Sequence, residues 1–189
     1  MIGAGGDGSP FTPEQQQELE DAKERAASFM GAARVASFNG WTFGFFAVIS
    51  IVTGLSSLPV LLVGVGLAVV ARNELAGRKR ILAYDPSAFE LLWKNQVALM
   101  AIIVAYCLWA MTRSSLVSDP SMQELNELMG DGFDEALQSL VTVAYVAVIG
   151  LTVIFQGLNA RYYHVRIARL EAYLAETPQW VVDVQRAVQ

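Results

Sequence analysis

The chain has 189 residues, of which 54% are hydrophobic and only 16% charged, with a net charge of -5 and a mean hydropathy of +0.40. A soluble domain carries about 25% charged residues, so this composition excludes an ordinary water-surrounded domain and points to a membrane. The sequence pI of 4.9 excludes a nucleic-acid binder, because phosphate affinity comes from clustered Lys and Arg.

Residues 1–11 form a glycine-rich tail that reads as disordered. Within it Gly3, Gly5 and Gly8 spell G-x-G-x-x-G, but a nucleotide fingerprint needs a strand before it, and only Met1 and Ile2 precede it. The first apolar run begins more than thirty residues in, with no basic segment before it, so no cleaved secretory signal is expected.

Proline marks the helix starts. Five of the six prolines follow a capping residue directly or by one position: Thr12-Pro13, Ser57-Leu58-Pro59, Asp85-Pro86, Asp119-Pro120 and Thr177-Pro178. A proline in the first helical turn forfeits only an N–H that had no partner, and the preceding Thr, Ser or Asp can cap the exposed donors.

From Pro13 a polar helix with Leu19, Ala22, Ala26, Phe29, Ala33 and Ala36 at heptad-like spacing continues into an apolar run. The four predicted spans are 38–55, 59–71, 97–113 and 137–158, and a bilayer's hydrocarbon thickness calls for about 20 residues each. Span two is short, and Arg72 extends it by snorkelling. Its helix runs on past Arg78, Lys79 and Arg80, a basic cluster suited to anionic lipid headgroups. Between spans three and four lies an acidic loop, 114–136, with a short amphipathic helix Pro120–Met129. Helix four continues to Glu176, and residues 177–189 form a last amphipathic helix with Trp180, Val184 and Val188 on one side.

Charge asymmetry predicts orientation. With the N-terminus inside, Arg113 is the only basic residue outside, leaving 13 - 1 = 12 inside. The outer loop then carries Asp119, Glu124, Glu127, Asp131, Asp134 and Glu135 against that one arginine, a net +1 - 6 = -5. The expected architecture is an all-α, polytopic four-helix transmembrane bundle over residues 12–176. It has long cytoplasmic extensions and both termini in the cytoplasm, in a cell inner (plasma) membrane.

Two patterns suggest packing. Ser28, Ala32, Ala36, Gly40 and Gly44 recur at steps of four, a strip where helices can approach closely, either within the chain or between subunits. Asn39, Asn73, Asn95, Gln96, Gln156 and Asn159 all fall at the inner ends of the spans, with Arg72, Glu74, Glu90 and Lys94 nearby. Carboxamides both donate and accept, so this inner polar belt reads either as a clamp across four helices or as a vestibule for a headgroup, ion or partner.

Little else suggests reactive chemistry. Cys107 is the single cysteine and His164 the single histidine, so neither a disulfide nor a metal cluster is expected. Val63-Gly64-Val65-Gly66 lies in a plain apolar helix rather than a selectivity filter. The spans hold no ionisable residue at mid-depth, where ion-coupled transporters need one. No catalytic residue, cofactor or metal is expected. The leading expectation is a non-enzymatic scaffold or complex subunit whose partners are the lipid bilayer and either copies of itself or another membrane protein. An oligomeric pore, with an acidic outer mouth and an amide-lined inner mouth, is the second reading, and a small lipid-binding protein or enzyme the third.

Overall fold

Every regular element in the computed structural model is helical among the residues it describes, 10–116 and 132–188, with the side chains of 114–116 and 134 left aside. The elements are α1 (Pro13–Met30), α2 (Ala32–Thr53), α3 (Leu58–Leu82), α4 (Ser87–Leu116), α5 (Phe133–Glu176) and α6 (Gln179–Ala187), with one 3-10 turn at Gly54–Ser56. The tail's G-x-G-x-x-G, the amphipathic segment Pro120–Met129 and the acids Asp119, Glu124, Glu127 and Asp131 lie outside the described residues.

The proline starts are visible locally. Thr12 caps α1 with a reciprocal box, its Oγ1 accepting from the Gln15 amide at 3.3 Å while its own amide donates to Gln15 Oε1 at 3.0 Å. Asp85 Oδ1 accepts from the Ser87 amide at 2.8 Å at the start of α4. Ser57 stands at the N-cap of α3 without a side-chain cap bond. Gly31 keeps right-handed helical angles, so α1 and α2 run on as one rod of 44 residues, Pro13–Ser56.

Four helical stretches are long and apolar enough to cross a membrane: Pro13–Ser56, Leu58–Leu82, Ser87–Arg113 and Glu135–Glu176. They contain the four spans read from hydropathy, and their outward faces carry Phe38, Trp41, Phe45, Val52, Leu62, Val69, Leu108, Leu151 and Phe155. Such a surface suits hydrocarbon rather than water.

Adjacent helices pack in chain order, α2 on α3, α3 on α4 and α4 on α5, while α1 reaches α5 and α6. Two cores result. The smaller lies among the spans and joins Ala47, Leu67, Val70 and Leu99, from α2, α3 and α4 only. The larger lies beyond them, at the end carrying α1 and α6, and joins Ala22, Ala26, Phe29, Ile81, Tyr84, Phe89, Tyr163, Tyr173, Val181 and Val182. Phe29 sits edge-on to Tyr84, Phe89 and Tyr173 at its centre.

The C-terminal helix packs on the other helices by a different side from the expected one, which carries Trp180, Val184 and Val188. Its buried face is Val181 and Val182; Trp180 and Val184 are half-buried and Val188 is exposed. The register is fixed by Arg186 Nε donating to the Ala83 carbonyl at 2.9 Å and by Tyr173 donating to Gln185. Trp180 instead meets Phe11, with ring centroids 6.3 Å apart.

Candidate functional site

The stripe that α3 buries runs Gly64, Leu67, Val70, Ala71, Glu74, Gly77 and Ile81, at helical steps of three and four. All are apolar except Glu74, and that one carboxyl is fully buried. Burying a carboxyl is costly unless its oxygens are met by donors.

Three helices supply them. From α4, Asn95 Nδ2 and Gln96 Nε2 each donate to Glu74 Oε1 at 2.8 Å. From α5, the Tyr163 hydroxyl donates to Oε2 at 3.1 Å. That hydroxyl also accepts from Asn39 Nδ2 of α2 at 3.4 Å. Asn95 spends its second hydrogen on the Val70 carbonyl at 3.0 Å, and its Oδ1 accepts from Asn73 Nδ2 at 3.1 Å. One carboxyl therefore ties α2, α3, α4 and α5 together at one level.

No cation shares this site among the described residues. The ion pairs among the described residues are Lys94 with Glu90 at 2.5 Å and Arg186 with Asp183 at 3.5 Å, both on helix surfaces away from Glu74. The carboxyl is held by neutral donors alone, and within the cluster Gln96 Oε1 is the one buried atom without a partner.

The belt read from sequence is only partly assembled. Asn39, Asn73, Asn95 and Gln96 converge on the cluster. Gln156 and Asn159 do not; both are half-buried on α5, and Gln156 Oε1 has no hydrogen-bond partner. The α5 contribution comes from Tyr163, one turn beyond Asn159. Glu74 and Tyr163, absent from the predicted belt, are its centre and its hinge to α5. The position of Glu74 on an otherwise apolar stripe was a readable signal for the first; nothing in the sequence singled out the second.

The small-residue strip faces inward along part of its length. Ala32, Ala36 and Gly40 are buried, Gly44 is half-buried and Ser28 is exposed, its carbonyl accepting from Arg169 Nη1 at 3.4 Å. A Cβ on Gly40 would stand 2.8 Å from Leu75 Cδ2 and 3.3 Å from the Ala71 carbonyl oxygen, so α3 lies in that part of the strip. Gly64 is as close, and to backbone: a Cβ there would come 2.8 Å from the backbone nitrogen of Ile51.

The remaining residues separate. Arg80 Nη1 donates to Ser87 Oγ at 3.0 Å, and Arg78 lines a cavity. Glu135 is exposed near the start of α5. His164 is exposed with its ring 5.7 Å from that of Trp93, and Cys107 is buried in α4. Val63–Gly66 lies within α3.

Comparison with protein-family models, with curated proteins and with solved structures finds no match for this chain.

Proposed function

We propose that the chain is a non-enzymatic integral membrane protein acting as a subunit of a larger assembly, formed with itself or with another membrane protein. Its four spans form a bundle in an inner (plasma) membrane with both termini cytoplasmic, a reading supported by 12 of the 13 basic residues falling on the side of α1 and α6. The Glu74 cluster serves as the clamp that sets how those helices meet.

The observation that carries the proposal is the open face of the α5 span, which packs on α4. It contributes nothing to the core among the spans, and Thr152 is the only buried side chain described between residues 137 and 158. Gly150 and Gly157 lie seven residues apart, on one helix face, and a Cβ on either would meet nothing within 4 Å. Against lipid a glycine gains nothing, whereas against another helix it permits close backbone approach. The α5 span is thus the free association face, while part of the strip on α1 and α2 is occupied by α3.

The test is cysteine crosslinking in native membranes. Gly150→Cys and Gly157→Cys, in a Cys107→Ala background, form a disulfide-linked dimer or a defined larger adduct under mild oxidation, whereas Thr152→Cys does not. Absence of any adduct at positions 150 and 157 contradicts the proposal.

A further inference from the structure

Where α1 passes into α2, a cavity of about 670 Å³ opens against the far end of α3, within the size range of small-molecule sites. Its wall is divided by chemistry. Arg34 and Arg78 stand on opposite helices, Ser37 lies beside Arg34, and Phe38, Trp41 and Met30 supply an apolar flank. No acid lines it, and among the described residues neither guanidinium has an ion-pair partner.

The register of α2 on α3 locates this cavity. Gly40 lies against Leu75 and Ala71 in an antiparallel pair, which sets Arg34 and Arg78 about a turn beyond Phe38, where the first span begins. Phe38 and Trp41 are each 72% exposed. The amphipathic indole of Trp41 at such a depth marks the interface between hydrocarbon and headgroups. Two guanidiniums just past an aromatic boundary, with an apolar wall leading back into the span, match a molecule that is anionic at one end and aliphatic at the other.

We propose that this cavity binds an anionic phospholipid of the inner leaflet, with its phosphate between Arg34 and Arg78 and its first acyl carbons along Phe38 and Trp41. The guanidinium fork suits phosphate oxygens, and Ser37 offers a hydroxyl donor on the same wall. The site divides the basic triplet of α3: Arg78 faces the lipid, Arg80 is engaged with Ser87, and Lys79 lies outside the lining. The proposal rests on the membrane reading above but not on assembly.

The experiment is native mass spectrometry of the full-length protein in detergent, titrated with phosphatidylglycerol or phosphatidylcholine of matched acyl chains. The wild type binds its first phosphatidylglycerol in preference to phosphatidylcholine. Arg34→Gln and Arg78→Gln each weaken that first binding about fivefold, the effect of roughly one interfacial charge. Lys79→Gln, with the same charge change on the same helix, leaves it within about twofold, because it is a solvent-screened charge outside the site. Unchanged helical content and melting temperature certify all three variants as folded.

Equal affinity for the two lipids, or an equal loss in Lys79→Gln, overturns the site. Displacement of the bound lipid by an equal concentration of inorganic phosphate also overturns it, because the apolar wall would then contribute nothing. Extraction of the protein from cells without detergent would instead refute the membrane reading itself.

Discussion

At the scale of single residues, the molecule turns on the contrast between Glu74 and its neighbours. Asn95 makes three bonds, to the Val70 carbonyl, Glu74 and Asn73, and its loss takes one of the two donors from Glu74 Oε1 and leaves Asn73 Nδ2 without its acceptor. Leaving buried polar atoms unmet costs about 1–3 kcal/mol each. Asn95→Leu is therefore expected to destabilise by about 1–3 kcal/mol, read as a clear fall in melting temperature in detergent. Gln156, whose Oε1 has no partner, gives the control: Gln156→Leu leaves the melting temperature nearly unchanged. Tyr163→Phe removes only the hydroxyl that links α5 and Asn39 to Glu74, and should cost about 1–3 kcal/mol while keeping the ring's packing. If all three variants melt alike, the clamp is wrong. The amides of this cluster were legible in the sequence because every span carries one at its inner end. Tyr163 was not, because a tyrosine beside a basic helix end reads as an interfacial anchor until a carboxyl on another helix is seen to face it.

At the scale of elements, close approach and turn geometry decide which substitutions are tolerated. The turn between α3 and α4 holds Tyr84 at φ 53°, a left-handed conformation that costs a bulky residue about 1 kcal/mol. Its ring is buried, stacked on Tyr173 at 5.7 Å and edge-on to Phe29 at 6.1 Å, and that burial outweighs the strain. Tyr84→Gly and Tyr84→Ala both lose the ring, but glycine alone relieves the backbone. The glycine variant should therefore be the more stable by about 1 kcal/mol in a thermal melt. A second contrast lies in the glycines. Gly64→Ala sets a methyl against the Ile51 backbone and must push α2 from α3, whereas Gly150→Ala points into open space. In the dissociated single chain in detergent, the first lowers the melting temperature and the second does not. Helix starts were readable because proline and its capping residue act locally. The buried face of α6 was not, because its nine residues offer apolar side chains on more than one side. The choice of Val181 and Val182 is made by the Ala83 carbonyl and Tyr173 on other helices.

For the whole molecule, the two cores divide the labour. The larger one, with its aromatic centre at Phe29, belongs to the helix extensions, and the spans are joined mainly through α3. Hydropathy made the four spans legible, since lipid demands long apolar helices whatever their neighbours. It could not tell which span faces would remain open, because in lipid an open face and a packed face are equally apolar. That is why the small-residue strip of α1 and α2 stood out in the sequence and the glycines of α5 did not. The orientation is tested by labelling with a membrane-impermeant maleimide in the Cys107→Ala background: Glu135→Cys reacts in intact cells, and Lys23→Cys reacts only after permeabilisation. The measurement that bears most directly on the assembly reading is the mass of the wild-type protein extracted straight into native nanodiscs. The account predicts more than one protein chain per particle, with Gly150→Leu/Gly157→Leu reducing it to a single folded chain. A wild-type particle holding one chain and no other protein would contradict it.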